Sequence, residues 1–447
     1  MKNRIIRIVN AWICQPVRRE IVPVFGDVII ENNNIAEIEP RKTEDFASKK
    51  SSESEEVIDA RGRMVTLPLI NFHEHFYSRL AKGLPLSDPM TNFEEILRNL
   101  WWKLDQVLDQ DMIRASAMMG ALEAVRNGVA YVFDHHASLS AIGGSLAAIG
   151  EEITKIGLRA VLCFETSDRN GKVEADRAFQ QNVSLLENQT PDVKGMLGLH
   201  ASFTLTNASL DRAAKISQNH NTGIHVHVCE DAADRSISQQ RYGQLPVSRF
   251  FRRGLLNERS ILAHGVHLDE EDYQLIQQSG SAIVYNPDSN LNNAVGLPEF
   301  RCVLPAIPIL AGTDGMHGDV GRSLKQLFLL FRHQRNDFSA AFEWVNKIYF
   351  DGINFVKKYF TDFPGLSGGD RADLIIWDYA PPTPVHSNNF WGHFIYGAVE
   401  SNVHSVVING RLLIKDCQWQ LEHISEITTE ISRQGHRLYR IIQNNYP

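Results

Sequence analysis

Two histidines separated by a single residue close an apolar run near position 70. The stretch Leu67–His75 reads LPLINFHEH, so His73 and His75 stand at its end. In an extended strand, side chains two positions apart point to the same face, so the two imidazoles can converge on one point. Neutral imidazoles are ligands for zinc or iron. An isolated pair is explained equally well as a polar cap on a buried strand, so other residues must decide.

Further histidines and acidic residues stand at the ends of later apolar runs. They are His225, His227 and Glu230, then His264, and finally Asp314. Three imidazoles and a carboxylate bind a first-row divalent ion and leave a position for water. The metal lowers the pKa of that water from 15.7 to about 7, which gives a nucleophile at neutral pH. A general acid or base must still move protons to the leaving group, and Glu230 is the natural candidate.

Eight strand-like runs carry these residues. They are Leu67–His75, Val129–His136, Leu158–Thr166, Val193–Ala201, Gly223–Glu230, Ser260–His267, Ser281–Asn290 and Ile307–Gly315. Segments with helical spacing of apolar residues lie in most of the gaps. This alternation predicts a (β/α)₈ TIM-type barrel, in which the carboxyl ends of the strands form the catalytic face. A doubly wound open sheet is the alternative, but no Gly-x-Gly-x-x-Gly motif follows the first run.

Short strands rich in β-branched residues occur at both ends of the chain. Asn409-Gly410 between two such strands indicates a hairpin turn, and 424–444 has helical spacing. We predict that 1–63 and 364–447 together form a small β-sandwich domain with a C-terminal helix, beside a barrel over 64–363. The polar run Arg41–Glu56 is predicted to be an exposed loop.

Composition excludes several classes of function. The 447 residues carry a formal net charge of −8 and show no basic stripe, which argues against nucleic acid as a partner. No stretch approaches the roughly 18 uncharged apolar residues of a membrane span, and the N-terminus lacks the apolar core of a signal peptide. Scattered cysteines predict reduced thiols in a cytoplasmic protein. They are Cys14, Cys163, Cys229, Cys302 and Cys417.

The strand-end residues give the chain a family resemblance. It resembles the amidohydrolase superfamily, in the branch that holds guanine, cytosine and S-adenosylhomocysteine-type deaminases and the triazine hydrolases. The resemblance runs from the lead-in Val57–Ala60 (VIDA) to the return strand Val407–Gly410 (VING). The stretches NLWWKLD at 99–105 and NFWGH at 389–393 are most similar to the SsnA group of aminohydrolases.

The resemblance implies the metal ligands. His73 and His75 match the first-strand ligand pair of the family. The family's fifth-strand ligand lies three residues before its catalytic glutamate, which implies His227 as the ligand and Glu230 as the proton shuttle. His225 is then a neighbour, although spacing alone leaves both histidines open because they share a face.

The resemblance also implies the remaining catalytic residues. His264 matches the sixth-strand histidine that contacts the hydrolytic water or the developing oxyanion. Asp314 matches the eighth-strand aspartate, which binds the metal and also orients and deprotonates the water. The expected cofactor is one divalent ion, Zn²⁺ with Fe²⁺ as the alternative. A homodimer is the expected assembly.

Three departures from the family pattern are visible. Leu69 follows Pro68 where the family has glycine, and Met316–Asp319 replaces a Ser-Asn pair after the eighth-strand aspartate. These differences put the substrate pocket in question but leave the metal site intact. No lysine stands near the C-terminal end of the fourth run, since Lys194 is at its start, and this favours a mononuclear site.

Substrate contacts are predicted at three further positions. His200 closes the fourth run, where related deaminases have a histidine that touches substrate. Arg79, with Lys82, follows the first strand in a loop that often covers substrate, and a cation there could meet a carboxylate or enolic oxygen. Trp102, beside Trp101, could form an aromatic wall for a planar ring. The alternatives are a hydrogen-bonded structural role for His200, a solvated loop for Arg79 and a packing role for Trp102.

Three other reactive side chains near the strand ends receive structural interpretations. His135 and His136 close the second run, and we expect them to support the rim of the barrel rather than bind metal. Cys229 lies between two site residues, but strand alternation points it away from the metal, so we expect it to pack in the core.

These residues predict a metal-dependent aminohydrolase. The reaction is hydrolysis of a C–N bond, most simply deamination, in a small purine-like, pyrimidine-like or other nitrogen heterocycle. Hydrolytic opening of a cyclic amide, such as an imidazolone or hydantoin, is the alternative, because it needs the same proton transfers. A barrel scaffold without activity is the third hypothesis, and the complete set of strand-end residues argues against it.

Overall fold

The strands fall into a central group and two terminal groups in the computed structural model, which describes residues 4–42, 55–86, 88–300 and 303–445. Most of the predicted loop over Arg41–Glu56, and also Cys302, lie outside the described residues. In chain order the strands are β1 (Ile5–Val17), β2 (Glu20–Glu31), β3 (Asn34–Pro40), β4 (Glu55–Asp59), β5 (Met64–Thr66), β6 (Leu69–Glu74), β7 (Val129–His136), β8 (Arg159–Phe164), β9 (Val193–Gly195), β10 (Leu197–Ala201), β11 (Ile224–Val228), β12 (Ile261–His264), β13 (Ala282–Tyr285), β14 (Ile309–Ala311), β15 (Leu374–Trp377), β16 (Val403–Ile408), β17 (Arg411–Lys415) and β18 (Gln418–Trp419).

Helices occupy most of the connections. They are α1 (Phe93–Ile96), α2 (Trp102–Val107), α3 (Gln110–Arg126), α4 (Ser145–Ile156), α5 (Lys172–Glu187), α6 (Asn207–Asn219), α7 (Ala232–Tyr242), α8 (Pro246–Phe251), α9 (Glu270–Ser279), α10 (Pro287–Asn292), α11 (Val320–Arg335), α12 (Phe338–Val356), α13 (Phe390–Tyr396) and α14 (Ile424–Asn445). A π-helical turn over Leu97–Trp101 joins the first two. Among the described residues, no helix is long and apolar enough to cross a membrane.

The central strands form a closed parallel barrel. They pair in chain order from β6 to β9 and from β10 to β14, and β9 and β10 are two halves of one strand interrupted at Met196. Two single parallel bridges, Thr166 with Leu199 and Glu74 with Asp314, join the two sets into a ring. The predicted (β/α)₈ barrel is confirmed.

Apolar packing between the barrel strands and the outer helices supports the first strand. Phe72 lies one position before the first strand-end histidine and points away from it. Its ring lies 5.0 Å from that of Phe133 on β7 and 5.8 Å from that of Phe355 on α12. All three rings are buried. This alternation along β6 places the apolar ring between the strands and the outer helices and directs the histidines into the barrel.

Both ends of the chain meet in one sheet. In the described residues it has nine strands, and β5 joins the two ends by pairing with β1 and with β15. The predicted hairpin is confirmed, since Asn409 and Gly410 have φ of 52° and 66° between β16 and β17, as a type I′ turn requires. The domain boundaries at residues 63/64 and 363/364 stay a prediction. Strand β5, which begins just after the first of them, pairs within this sheet.

Candidate metal centre and active site

Residues at the carboxyl ends of different strands meet at one mouth of the barrel. The Nε2 atom of His75 lies 3.0 Å from Oδ1 of Asp314 and 3.3 Å from Nε2 of His227. Nε2 of His73 lies 3.7 Å from the same Oδ1 atom. The fold thus gathers the four predicted ligands, although they come from the first, fifth and eighth strands.

Each imidazole of this group is held from behind by its other nitrogen. His75 Nδ1–H donates to the backbone oxygen of His135 at 2.5 Å, and His227 Nδ1–H donates to the backbone oxygen of His200 at 2.9 Å. His73 Nδ1 lies 2.8 Å from Nε2 of His225. These partners leave the three Nε2 lone pairs directed at the common point, which is the usual arrangement behind metal-binding histidines.

Electrostatics keep two of the imidazoles neutral and the carboxylate ionised. Burial, followed by repulsion from neighbouring imidazoles, lowers the pKa of His73 and of His227 well below the ordinary value. Both rings are therefore neutral at pH 7. Burial acts to raise the pKa of Asp314, but the contact with His75 outweighs it, so this pKa is lowered and the carboxylate stays ionised. Burial acts to lower the pKa of the third imidazole, His75, but its contact with Asp314 outweighs this and raises the pKa to about 9, so a metal ion must displace a proton there.

The group fits a divalent metal ion. With metal–nitrogen bonds of 2.0–2.1 Å, tetrahedral ligands stand about 3.3 Å apart, close to the separations in this cluster. The buried Nε2 atom of His73 has no hydrogen-bond partner among the described residues, although its lone pair points into the group. A buried polar atom without a partner is rare and requires an explanation, which a bound cation supplies.

Glu230 and His264 lie next to the ligand group on its other side. Nε2 of His264 lies 3.5 Å from Oε2 of Glu230 and 3.9 Å from Oδ2 of Asp314. Asn293 donates to Oε1 of the same glutamate at 3.2 Å, and Oδ1 of Asn290 lies 2.9 Å from His264 Nδ1. Burial raises the pKa of Glu230, so this carboxyl can hold a proton nearer neutral pH than an exposed glutamate.

Strained backbone conformations coincide with the site. Cys229, His264 and Asp314 have φ of 52°, 75° and 54°, a region that non-glycine residues rarely adopt. Each stands at or just beyond the carboxyl end of its strand, where the turn redirects the chain. Such strain clusters at functional sites, because the surrounding structure must hold a side chain in a specific direction.

A cavity of about 690 Å³ opens directly above the ligand group. At the end next to the ligand group, the cavity is lined by His75, His227, Glu230 and Asp314. Aromatic side chains form much of the remaining wall, and they are Tyr77, Phe93, Trp101, Trp102 and Phe203. Two of the predicted substrate contacts, His200 and Trp102, therefore face this cavity, as does Trp101. A planar ring fits against such a wall.

The prediction that Arg79 contacts substrate is wrong. Its side chain is fully buried, does not line the cavity, and forms an ion pair with the equally buried Glu74. It also donates to the backbone oxygens of Gly315 and His317. The guanidinium therefore joins the first strand to the loop after the eighth, which includes the unusual Met316–Asp319 segment.

Other sequence interpretations agree with the structure. Nε2–H of His135 donates to the backbone oxygens of Leu199 and His225, both at 3.1 Å, and so links β7 across the barrel to β10 and β11. His136 is buried beside Ser138. Cys229 is fully buried. In the described part of the chain, the four cysteines Cys14, Cys163, Cys229 and Cys417 are free thiols.

Sequence reasoning missed five charged residues of the cavity wall. They are Asp105, Glu165, Arg169, Asp231 and Asp234. Glu165 stands at the end of the third strand, just as the assigned site residues stand at the ends of theirs. This position was the signal in the sequence that could have identified it. Arg169 forms an ion pair with Asp105, and its guanidinium lies 5.1 Å from the centre of the Trp102 ring. Neither the pairing nor the stacking could be inferred from spacing, since the partners come from different loops.

The chain matches a known family and curated relatives. The model of the Amidohydrolase family matches residues 64–413. The chain is 28% identical over 402 residues to the 5-methylthioadenosine/S-adenosylhomocysteine deaminase of Thermococcus kodakarensis. That alignment covers 88% of this chain and 90% of the relative.

Solved structures share the fold. An adenosine deaminase from Xanthomonas campestris with bound zinc superposes with a TM-score of 0.81 at 20% identity, over 97% of this chain and 98% of that one. The atrazine chlorohydrolase TrzN from Arthrobacter aurescens, solved with zinc, gives a TM-score of 0.77 at 21% identity, over 96% and 100%. Because the family model matches well over half of the residues, the chain belongs to the amidohydrolase family and is a hydrolase of carbon–nitrogen bonds.

Proposed function

We propose that this protein is a zinc-dependent aminohydrolase that deaminates a small nitrogen heterocycle. The observation that carries the proposal is the convergence of three imidazole Nε2 atoms and Oδ1 of Asp314 beside the buried carboxyl of Glu230, beneath an aromatic cavity. The deaminase names of curated relatives support the same reaction. The closer likeness to the SsnA group, the homodimer and the cytoplasmic location stay predictions.

One metal ion is proposed, held by His73, His75, His227 and Asp314. Zn²⁺ is favoured because three imidazoles and one carboxylate suit it, and because a structural neighbour was solved with zinc. When bound, the ion lowers the pKa of water at the site and supplies a nucleophile at neutral pH. The absence of a lysine at the end of the fourth strand favours a single ion.

The protein's own residues move the protons. Asp314, ionised at pH 7, accepts one proton from the attacking water as its oxygen bonds to the sp² carbon. Glu230, whose pKa is raised by burial, gives a proton to the adjacent ring nitrogen. Asp314 then passes its proton to the amino group, which leaves as ammonia. The second water proton goes to Glu230 as the carbonyl forms, so both carboxyl groups return to their starting states. His264 lies within 4 Å of both carboxylates and stabilises the developing oxygen charge.

The substrate is proposed to be a planar ring. Tyr77, Trp101, Trp102 and Phe203 offer flat apolar surfaces, while the polar groups concentrate at the base of the cavity. His200 is proposed to contact the ring from the wall of the fourth strand. The aromatic part of the wall holds the faces of a purine, pyrimidine or pterin, and the polar and charged side chains of the lining bind its edges.

A screen of purines, pyrimidines, pterins and hydantoins tests the proposal. Purified protein is assayed for metal content, ammonia release and change in ultraviolet absorbance together. Ammonia with the ring intact is the expected result, with close to one zinc per chain. Loss of ring absorbance without ammonia would select the alternative, opening of a cyclic amide. Protein that binds metal but converts no compound of the screen would contradict the proposed substrate class.

A further inference from the structure

One carboxylate of the cavity wall has no part in the proposed proton transfers. Glu165 follows β8, lines the cavity and is only 8% exposed. Its nearest charged or imidazole neighbours are Arg169, His135 and His200, at 3.5, 3.6 and 3.8 Å. These distances exceed those of ordinary hydrogen bonds, so the carboxylate keeps acceptor capacity towards the cavity.

Both histidines beside this carboxylate present lone pairs to it. His135 uses Nε2–H for two backbone carbonyls, so in the neutral ring Nδ1 carries the lone pair. That Nδ1 atom is fully buried and has no hydrogen-bond partner among the described residues. His200 Nδ1 lies 2.8 Å from the hydroxyl oxygen of Thr204, and that hydroxyl donates its own proton to the backbone oxygen of Ala201. His200 Nδ1–H is therefore the donor to Thr204, and the lone pair of the ring is on Nε2.

Among the described residues the one cation beside this carboxylate, Arg169, is also engaged elsewhere. The guanidinium of Arg169 forms an ion pair with Asp105 and lies against the ring of Trp102. Glu165 and the two imidazole nitrogens therefore form an acceptor patch, which consists of Glu165, His135 and His200. Buried acceptors are normally satisfied by donors, and two members of the patch, Glu165 and His200, line the cavity.

The patch lies across the cavity from the proton shuttle. Glu165 stands at the end of the third strand, whereas Glu230 is bonded to Asn293 and approaches His264, beyond the sixth and seventh strands. In an eight-stranded ring the seventh strand stands opposite the third, so the contact of Glu230 with Asn293 lies on the far side of the mouth from Glu165. The ligand atoms of Glu165, His200 and His227 lie within 4.8 Å of one another, so the patch also borders the metal site. A ring bound over the metal has one edge at Glu230 and another at Glu165.

We infer that Glu165 is a specificity-determining residue that accepts a hydrogen bond from a second amino or ring N–H group of the substrate, away from the reacting carbon. The inference rests on the proposed function and narrows it to heterocycles that carry two nitrogen donors. His200 contributes a second acceptor beside the carboxylate. A ring with the reacting amino group alone leaves the patch unsatisfied, which lowers its affinity.

Matched ligand pairs test the inference by binding. 9-Methyladenine and 9-methyl-2,6-diaminopurine differ by one amino group and carry no ring N–H group, as do 4-aminopyrimidine and 2,4-diaminopyrimidine. Dissociation constants are measured by calorimetry with zinc-loaded wild type, Glu165→Gln, Glu165→Ala and the control Glu187→Gln, an exposed residue at the end of α5. We expect the wild type and the control to bind at least one diamino compound about 10- to 100-fold more tightly than its partner.

The variants should lose this preference. In Glu165→Ala the ratio falls to about one, and Glu165→Gln gives an intermediate ratio, while zinc content and melting temperature stay near those of the control. A wild-type ratio near one for both pairs, or a ratio kept by Glu165→Ala, would overturn the inference. The inference would also be overturned if the wild type held two zinc ions per chain and Glu165→Gln held one, because the patch would then be a second metal site. Failure of the proposed function shows separately, as absence of ammonia from every compound of the screen.

Discussion

Nδ1 of His73 lies 2.8 Å from Nε2 of His225, and both rings are buried. This contact separates the two histidines of the fifth strand, which spacing alone left equivalent. His225 lies behind a proposed ligand, whereas His227 points its Nε2 atom at the ligand group. The geometry matches the family assignment of His227 and gives His225 a supporting position.

Substitution of the two histidines should have different effects on metal content. His227→Ala removes a proposed ligand, so we expect purified protein without bound zinc. His225→Phe removes only the partner that orients His73, and we expect metal affinity to fall about 10- to 100-fold. Metal content by mass spectrometry and competition with a chelator measure both. Full zinc retention by His227→Ala together with complete loss in His225→Phe would reverse the two assignments.

Glu230→Gln should abolish turnover without loss of metal. The amide has nearly the shape of the carboxyl but cannot shuttle a proton, so kcat should fall about 10²- to 10⁴-fold. Zinc content and thermal unfolding should match the wild type. Glu258→Gln, an exposed position, is the matched control and should keep full activity. Survival of activity in Glu230→Gln would show that another group moves the protons.

Arg79→Met should act on stability rather than on substrate binding. It leaves the carboxylate of Glu74 buried without its cation, although Asn71 and Thr313 still donate to it. Loss of one partner of a buried ion pair costs about 3–5 kcal/mol of the free energy of unfolding. Denaturant unfolding measures this, and KM of the folded fraction should be unchanged.

The double variant Arg79→Met/Glu74→Gln provides the control for that interpretation. It removes both charges, so it should recover part of the lost stability. If instead Arg79→Met raised KM and left the free energy of unfolding intact, the guanidinium would have to reach the cavity.

Asp234 should make stability depend on pH. Burial raises the pKa of this carboxyl from 3.8 to about 7. Between about pH 4 and pH 7 the unfolded chain is ionised here while the folded chain keeps the proton, so the folded state binds more protons and its contribution to stability falls as pH rises. Asp234→Asn cannot ionise and should flatten this part of the profile of melting temperature against pH.

The control for this experiment is Asp211→Asn, at an exposed position of α6. It should follow the wild-type profile. An unchanged profile in Asp234→Asn would indicate that the carboxyl is ionised in the folded protein throughout this range.

The sequence predicts which side chains meet at the mouth of the barrel because barrel geometry supplies what spacing lacks. His73, His227 and Asp314 are far apart in the chain, but once eight strand–helix units are recognised, their strand ends must share one mouth. Arg79 was predicted wrongly for a related reason. The role of a cation in a loop after a strand is ambiguous until its tertiary partner is known. The partner of Arg79 is Glu74, which faces away from the proposed metal site. Glu165 was missed since an acidic residue at a strand end carries no motif of its own.

The bridge between Glu74 and Asp314 joins the first and last strands of the barrel, and the proposed ligands lie on both sides of this seam. During synthesis on the ribosome, His73 and His75 emerge long before Asp314. The full ligand set therefore cannot exist until the eighth strand has been made and has docked against the first. A metal ion captured at that moment would fasten the ring at its closing point, so metal uptake would report the completion of the barrel in a newly made chain.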